Sequence, residues 1–329
     1  MIDRIGIVGA GAWGTALAQA ALRAGREAVL YARSAELAEA INRDHRNQAY
    51  LPDIALDPRL RATAEIAEAA AADAVLLVTP AQHLRAVTRL LSPLLAAETP
   101  VVLCSKGIEQ KTDALMTEVL AEVLPEQPMA VLSGPTFAAE VARDQPTAVT
   151  LAAADPVLGA ALVAALGSRR FRPYLSDDPV GAEIGGAVKN VIAIACGIVV
   201  GRRLGDNARA ALITRGLAEI VRLGVAKGGR AETLMGLSGL GDLTLTCSAM
   251  QSRNFSLGVA LGEGRALADI LGERRSVAEG VTSAAAVSDL AARRGVEMPI
   301  VAAVDQVLNH GAEIDATIEG LLARPFKAE

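Results

Sequence analysis

Cysteine and histidine are both scarce in this chain of 329 residues, with three of each. The cysteines lie far apart in the sequence, at Cys104, Cys196 and Cys247. They are too few for a disulfide framework, and no Cys-x-x-Cys pair offers a redox or metal site. The histidines are isolated as well, at His45, His83 and His310. We therefore expect no metal centre and a reducing, cytoplasmic environment.

An excess of one charge is also lacking, since 32 Lys and Arg stand against 37 Asp and Glu, for a formal net charge of -5. Basic pairs are scattered at 169–170, 202–203, 274–275 and 293–294, rather than gathered into a stripe that would follow the phosphates of a polymer. We therefore expect no nucleic-acid partner. With 52% hydrophobic and 21% charged residues, the composition is that of a folded globular protein.

A hydrophobic run long enough to span a bilayer is missing too. The apolar stretch 191–200 lies between Lys189 and Arg202 and falls short of the ~20 residues that a span requires. The uncharged run 5–22 has the composition of a secretory signal, but it carries three regularly spaced glycines and its first half has the pattern of a strand. We expect neither a membrane span nor a cleaved leader.

The first part of the chain alternates short β-branched runs with alanine-rich stretches whose apolar residues recur every three or four positions. This alternation is typical of strand–helix–strand units laid into a parallel sheet. Strands are predicted at 4–8, 28–31, 74–79, 101–105, 129–132, 148–151 and 172–175. Helices are predicted between them at 15–24, 35–43, 81–95 and 157–166.

After Pro179 the strand patterns give way to helical ones, predicted at 181–200, 208–226, 256–262, 266–271, 282–294 and 301–309. Asp206 is expected to cap the helix that follows it. The predicted fold class is therefore α/β. A Rossmann-type doubly wound sheet domain occupies residues 1–179, and an all-helical C-terminal domain occupies residues 180–329.

The first predicted strand runs into Gly9-Ala10-Gly11-Ala12-Trp13-Gly14, which we call the glycine turn. A G-x-G-x-x-G between a strand and a helix lets the backbone approach a pyrophosphate, which then meets the exposed amides of the helix. The next strand ends at Tyr31, which completes the unit of about thirty residues that the motif requires. The turn predicts dinucleotide binding, the alternative being glycines that serve only helix-on-strand packing.

The position that usually binds the adenosine ribose lies about twenty residues beyond the glycines, where the sequence reads Tyr31-Ala32-Arg33-Ser34. A carboxylate that would hold the ribose hydroxyls is absent there. An arginine at the end of the second strand can instead hold a 2′-phosphate, so we expect the site to accept NADP as well as NAD. The alternative is that Arg33 is a solvated surface residue.

Four further segments are more polar than their surroundings: 105–107, 133–138, 188–191, and 239–242 followed by 252–254. The first two follow predicted strands, and ligands in open α/β sheets bind beyond the carboxyl ends of strands. Lys106 and residues 134–138 should therefore face the same crevice as the nucleotide. Lys189 is the one charge in the stretch 184–201 of a helix that should be buried. Burial of an ammonium is costly and lowers its pKa.

These segments, in this order, resemble the bacterial-type NAD(P)-dependent glycerol-3-phosphate dehydrogenase family over essentially the whole chain. The resemblance implies hydride transfer between a nicotinamide cofactor and the pair sn-glycerol 3-phosphate and dihydroxyacetone phosphate, which supplies the backbone of phospholipids. It implies that Lys189 is the general acid/base. Similar enzymes are commonly dimers, so a homodimer is expected.

The resemblance also implies roles for other residues, position by position. The substrate positions of the family match Lys106, Gly134, Thr136, Lys189, Asp242, Ser252, Arg253 and Asn254. In addition to Gly9, Gly11 and Gly14 of the glycine turn, the cofactor positions match Ala12, Trp13, Arg33, Lys106, Ala138, Arg253, Val277 and Glu279. Two departures are modest: Ala12 stands where the family often has serine, and Phe255-Ser256 stands where basic residues are common.

Alternatives remain at this point. The planar guanidinium of Arg253 can hold the substrate phosphate, with Ser252 and Asn254 as neutral donors, or the three residues can be a helix cap with a solvated arginine. A hydroxyacid or ketopantoate-type reductase also combines a nucleotide domain with a helical domain and a catalytic lysine. A non-catalytic protein that senses nucleotide redox state would need the turn but not Lys106, Lys189 and Asp242 together.

Overall fold

The structure, a computed structural model, describes residues 2–273 and 278–325. The chain divides into two compact units, Met1–Lys106 with Ala114–Glu183 and Gly107–Asp113 with Ile184–Glu329. The domain boundary at 179/180 stays a prediction. The α/β fold class, with a sheet domain followed by a helical one, is confirmed.

The first unit is built of strands and the helices that cover them. Its strands are β1 (Arg4–Val8), β2 (Glu27–Tyr31), β3 (Arg46–Asn47), β4 (Leu51–Ala55), β5 (Arg61–Thr63), β6 (Ala74–Leu77), β7 (Val101–Leu103), β8 (Met129–Ser133), β9 (Thr147–Ala152) and β10 (Phe171–Ser176). Its helices are α1 (Ala12–Arg23), α2 (Ala35–Asp44), α3 (Ile66–Ala70), α4 (Leu84–Leu91), α5 (Met116–Val123), α6 (Ala138–Ala142) and α7 (Pro156–Leu166). All seven predicted strands are present in the structure.

Eight of these strands, within the described residues, form one sheet in the order β10-β9-β8-β7-β6-β1-β2-β5. The strands are parallel except for the pair β8 and β9. Chain order reverses at β1, whose neighbours are β2 and β6. This reversal places the glycine turn, which follows β1, at the topological switch point where open α/β sheets bind ligands.

The antiparallel strand β9 departs from the expected parallel sheet. Between β8 and β9 the chain forms α6, a helix of five residues. Such a helix is about 8 Å long, whereas a strand of five residues extends about 16 Å. It is therefore too short to return the chain to the start of the sheet, and β9 runs back alongside β8 instead.

Side chains alternate between the two faces of the sheet, and each face is covered by its own apolar core. Ile5 and Ile7 of β1 belong to the cluster that includes Leu17 of α1. Val8 and Leu77 belong to the other cluster, which includes Leu84 of α4. Because each strand is covered on both faces, it appears in the sequence as a nearly continuous apolar run.

In the second unit, the regular elements among the described residues are helical. They are α8 (Pro179–Gly201, of which Pro179–Glu183 belongs to the first unit), α9 (Asp206–Ala226), α10 (Ala231–Leu234), α11 (Asp242–Thr246), α12 (Arg253–Gly262), α13 (Leu267–Glu273), α14 (Glu279–Arg293), α15 (Pro299–Asn309) and α16 (Ile314–Leu322). The cap predicted for α9 is wrong. Gly205 is the N-cap, and Asp206 is the first helical residue and pairs with Arg209 at 2.9 Å.

Helix α8 is the longest of the described helices. An 18-residue segment of this helix has a mean hydropathy of 1.9, which would suit a membrane span. However, 89% of that segment is buried inside the protein. Burial of that extent is what a core helix requires. It packs closely on α12, where a side chain on Gly197 would collide with the carbonyl oxygen of Phe255. Small residues at this crossing bring the two helices together, and both carry candidate site residues.

Candidate functional site

The three glycines of the glycine turn have different surroundings. Gly9 has φ +125°, and a Cβ on it would lie 2.8 Å from the carbonyl oxygen of Val78. A Cβ on Gly14 would collide with the carbonyl oxygen of Gly9, so Gly14 allows α1 to pack on the strand. A Cβ on Gly11 would meet none of the described residues within 4 Å. Two glycines therefore serve packing, and the middle one leaves space open for a ligand.

The amino end of α1 adjoins that open space. Gly11 is its N-cap, which has no side chain to bond to the first amides, and the first turn contains no acidic residue. A helix end of this kind presents N–H groups and the positive end of the helix dipole. Trp13 lies in this first turn, and its buried Nε1 has no hydrogen-bond partner among the described residues. These features fit the pyrophosphate of a dinucleotide.

Arg33 lies directly beyond β2 and is exposed, and its contact with the 2′-phosphate stays a prediction. The chain around it is fixed on both sides. Ala32 N donates to Thr63 O at 2.9 Å, and Ser34 caps α2 by accepting from Leu37 N at 3.2 Å. The guanidinium therefore projects from a well-defined position at the same strand ends as the glycine turn.

Lys106 and the segment after β8 come together at the carboxyl ends of β7 and β8. Lys106 Nζ donates to the carbonyl oxygen of Gly134 at 2.9 Å, and Thr136 Oγ1 donates to the same oxygen at 3.3 Å. Gly134 has φ +145°, a conformation that disfavours a side chain. Ala138 begins α6. The structure thus brings Lys106, Gly134 and Thr136 together, and their contact with a ligand stays a prediction.

In the second unit, Lys189 of α8 meets two side chains of α11. Its Nζ donates to Asp242 Oδ1 at 2.5 Å and to Thr246 Oγ1 at 2.9 Å. We call these three residues the lysine cluster. Thr246 Oγ1 also lies 3.3 Å from Asp242 Oδ1. The side chain of Lys189 is 7% exposed and that of Asp242 is 0% exposed, so each charge offsets the cost of burying the other.

The element before α11 explains how Asp242 reaches this position. Residues Leu237–Gly241 form a π-helical turn, and Asp242 is the first residue of the α-helix that follows. Turns of this type widen the helix locally and occur frequently at functional sites. Sequence reasoning missed Thr246, whose signal was its position four residues after Asp242, on the same face of the helix.

A second polar contact joins α8, α12 and α14. Asn254 Nδ2 donates to Asn190 Oδ1 at 2.9 Å, and Gly280 N donates to Asn254 Oδ1 at 3.0 Å. The buried amide of Asn254 thus binds protein groups at both ends, which leaves its second N–H for another partner. Asn190, like Thr246, was not among the predicted site residues.

The segment Ser252–Asn254 begins α12, three residues earlier than predicted. Ser252 is the N-cap and accepts from Phe255 N at 3.3 Å, so the alternative of a helix cap is realised for this residue. Arg253 is exposed at the first helical position. Glu279 begins α14. Val277, predicted to contact the cofactor, lies outside the described residues.

A glycine turn at the switch point of a doubly wound sheet, in a chain with a helical unit that buries a lysine, defines a dinucleotide-binding protein of the two-domain dehydrogenase type. Two family models match the chain. They are described as the N-terminus of NAD-dependent glycerol-3-phosphate dehydrogenase, over residues 4–158, and its C-terminus, over residues 178–319. The chain belongs to the NAD-dependent glycerol-3-phosphate dehydrogenase family, which confirms the resemblance seen in the sequence.

Individual relatives agree over the full length. The glycerol-3-phosphate dehydrogenase (NAD(P)+) of Rhodospirillum rubrum is 62% identical over 330 positions, which cover 100% of this chain and 95% of that protein. The crystal structure of glycerol-3-phosphate dehydrogenase from Coxiella burnetii has a TM-score of 0.94 at 39% identity, covering 98% of this chain and 99% of that one. A ketopantoate reductase from Ralstonia eutropha, at 17% identity and a TM-score of 0.59 over 96% and 99%, shares the fold alone.

Proposed function

We propose that this chain is an NAD(P)-dependent sn-glycerol-3-phosphate dehydrogenase. It reduces dihydroxyacetone phosphate to sn-glycerol 3-phosphate and supplies the backbone for phospholipid synthesis. The observation that carries the proposal is the buried lysine cluster, in a chain that is 62% identical to a relative of that name. A buried ion pair contributes little to stability compared with apolar side chains of similar volume, so we attribute the cluster to chemistry.

NAD and NADP suit the open space at Gly11 and the uncapped amino end of α1. The bound nicotinamide accepts or supplies the hydride. Arg33 binds the 2′-phosphate of NADP, since its guanidinium can donate to two oxygens of that group. The residues proposed to hold the cofactor are Gly9, Gly11, Ala12, Trp13, Gly14, Arg33, Lys106, Ala138, Arg253, Val277 and Glu279.

Lys189 is proposed as the general acid/base. In the oxidation of glycerol 3-phosphate its neutral amine accepts the hydroxyl proton, and in the reduction of the ketone its ammonium donates a proton to the carbonyl oxygen. The ammonium also stabilises the negative charge that develops on this oxygen. Asp242 and Thr246 fix the position of Nζ through their hydrogen bonds of 2.5 Å and 2.9 Å.

The substrate phosphate is proposed to bind Arg253, whose planar guanidinium matches the geometry of a phosphate. Arg253 lies at the first position of α12, so the free amides of that helix end add favourable dipoles. The residues proposed to hold the substrate are Lys106, Gly134, Thr136, Lys189, Asp242, Ser252, Arg253 and Asn254.

The proposal is tested by substrate choice. The purified protein is assayed with NADPH and with NADH on dihydroxyacetone phosphate and on 2-ketopantoate, and each nucleotide is titrated through the fluorescence of Trp13, the single tryptophan. We expect turnover of dihydroxyacetone phosphate and saturable binding of both nucleotides. Turnover of 2-ketopantoate instead would indicate a ketopantoate-type reductase. Nucleotide binding without turnover of either ketone would indicate a sensing protein.

We propose further that the protein acts in the cytoplasm as a homodimer. The small number of cysteines, all free and buried, suits a reducing compartment. The family resemblance supports the dimer. Light scattering should give about twice the chain mass of 33.9 kDa, and a mass equal to that of one chain would overturn the dimer.

A further inference from the structure

A small hairpin in the first unit contacts the main chain of the glycine turn. The chain leaves α2 through His45, which has φ +48°, and the strands β3 and β4 then pair in antiparallel fashion. Asn47 of β3 is 0% exposed although it lies in a stretch of polar residues. Most buried polar side-chain atoms are hydrogen-bonded, which draws attention to the partners of this asparagine.

The side-chain amide of Asn47 uses both N–H groups on the turn and on the helix that follows it. Nδ2 donates to the carbonyl oxygen of Ala10 at 2.9 Å and to Thr15 Oγ1 at 2.8 Å. The opposite orientation of the amide would place Oδ1 against the Ala10 oxygen, so the contacts determine which end is nitrogen. Oδ1 is buried and has no hydrogen-bond partner among the described residues. The side chain is therefore oriented by its two donor bonds to the glycine turn and α1.

We propose that Asn47 is a positioning residue for the cofactor, because it holds the glycine turn in the conformation that binds the dinucleotide phosphates. The inference rests on the nucleotide binding proposed above. The carbonyl of Ala10 and the N–H of Gly11 belong to one planar trans peptide and point in opposite directions. When Asn47 holds this carbonyl inward, the Gly11 N–H is aimed outward from the turn.

The hairpin that carries Asn47 is itself fixed to α1. Leu51, Ile54 and Leu56 are buried in the same core as Leu17 of α1. Asp57 N donates to the side-chain oxygen of Gln19 at 3.0 Å. The position of Asn47 is therefore fixed relative to α1. Removal of its side chain leaves the buried Ala10 carbonyl without this donor, which favours other orientations of the peptide.

Three variants test the role. In Asn47→Ala we expect the dissociation constants of both NADPH and NADH, read from Trp13 fluorescence, to rise about tenfold to a hundredfold. Turnover at saturating nucleotide should stay within about threefold of wild type, because the lysine cluster is untouched. In Asn47→Asp the rise should be larger, because a carboxylate oxygen faces the Ala10 carbonyl and adds a negative charge behind the phosphates.

Asn42→Ala is the matched control. Asn42 lies in the same unit, and its amide bonds to both main-chain groups of Ala62 at 2.8 Å each, so neither bond involves the glycine turn. We expect nucleotide affinity of this variant to stay within about twofold of wild type, even where its melting temperature falls. Unchanged affinity in Asn47→Ala, or an equal loss in Asn42→Ala, would show that Asn47 has only a structural role.

A measurement without nucleotide separates this inference from the proposed function. Amide hydrogen exchange of residues 11–15 in the nucleotide-free protein should be faster in Asn47→Ala than in wild type, and unchanged in Asn42→Ala. Failure of wild type to bind either nucleotide would overturn the proposed function and the cofactor role with it. Unchanged exchange in Asn47→Ala would overturn the positioning of the turn while leaving the proposed function intact.

Discussion

The glycine turn and the lysine cluster are built in opposite ways. In the turn, the main chain provides the polar groups, and the sequence contributes mainly by omitting side chains at positions 9, 11 and 14. In the lysine cluster, the main chain lies within α8 and α11, and the polar contacts between Lys189, Asp242 and Thr246 are made by buried side chains. The turn should therefore fail when a methyl group is added, and the cluster should fail when a side chain is removed.

The largest effect is expected for Lys189→Ala, which removes the only cation of the lysine cluster. We expect kcat to fall by about 10² to 10⁴, as for other lost general acids or bases, while nucleotide affinity read through Trp13 stays nearly intact. In wild type, ketone reduction should fall and alcohol oxidation should rise with increasing pH, since the two directions need opposite protonation states.

A structural role for Lys189 gives a different result. The variant leaves the Asp242 carboxylate buried without its cation, which destabilises the fold by about 3 to 5 kcal/mol. Its melting temperature must therefore be measured, and kcat compared with wild type on folded protein at saturating cofactor. If the variant keeps more than about a tenth of wild-type turnover with the same pH dependence, Lys189 is not the catalyst, and Lys106 becomes the next candidate.

The second prediction adds a methyl group to the glycine turn at two positions. Gly14→Ala should destabilise the first unit, because its Cβ would collide with the main chain of Gly9. Gly11→Ala should fold like wild type, since its Cβ meets none of the described residues within 4 Å. It should nevertheless raise the dissociation constants of both nucleotides by about tenfold to a hundredfold. Thermal melting and Trp13 titration separate the two effects. A Gly11→Ala variant with wild-type affinity would show that this space does not bind the phosphates.

The sequence predicts elements best where burial is continuous. The run 4–8 is apolar after its first residue and predicts β1 to the residue, Arg4–Val8. The helix predicted at 81–95 begins as a 3₁₀ turn and α4 ends at Leu91, because Pro93 cannot continue a helix. The β3–β4 hairpin was missed because its first strand has two residues and its second contains a proline.

The same reasoning explains which parts of the candidate site the sequence could predict. Lys189 stands out because a charge in a long apolar stretch has a cost that needs an explanation. Thr246 and Asn47 do not, since threonine and asparagine are common in helices, turns and surface segments. Their importance depends on which residues they meet after folding, at separations of 57 and 32 positions in the chain. Pattern within one element gives no signal for such contacts.

The third prediction compares a buried carboxyl group in each unit. Burial raises the pKa of Glu183 in the first unit and of Glu219 in the second to about 7. These folded-state pKa values lie above the unfolded value near 4.5, so the folded state favours the protonated carboxyl groups. Their contribution to the free energy of unfolding is therefore complete below about pH 4.5 and is lost as the pH rises through 7. Both groups therefore lower stability at pH 8 relative to pH 5.

Glutamine variants distinguish the two carboxyl groups. Glu183 accepts from Thr117 N and Thr117 Oγ1, and a glutamine can instead donate to that hydroxyl. Glu219 accepts from the main-chain N–H groups of Ile300 and Val301, one of which would face the NH₂ of a glutamine. We expect Glu183→Gln to reduce the difference in melting temperature between pH 5 and 8, and Glu219→Gln to cost about 1 to 3 kcal/mol at both. If the melting temperature of Glu183→Gln differs between pH 5 and 8 by as much as that of wild type, this account is contradicted.

The fourth prediction concerns Arg253, the exposed arginine of the second unit. Arg253→Ala should lower kcat/KM for dihydroxyacetone phosphate by about tenfold to a hundredfold and reduce its advantage over unphosphorylated dihydroxyacetone. Because the residue is also proposed to contact the cofactor, NADPH binding is measured separately through Trp13. Unchanged discrimination between the two ketones would mean that Arg253 serves α12 rather than the phosphate.

The smallest effect is expected for Arg33, the exposed arginine of the first unit, since solvent weakens a charge contact there. Arg33→Asp should raise KM for NADPH about tenfold more than KM for NADH, because only NADPH has the 2′-phosphate that the carboxylate repels. Arg33→Ala should give a smaller change in the same direction. Together with Arg253→Ala, these variants test whether the first unit recognises the 2′-phosphate of NADPH and the second unit recognises the phosphate of the substrate. If Arg33→Asp affects both nucleotides equally, the arginine contributes only general attraction for anions, and selection of NADPH must come from other residues.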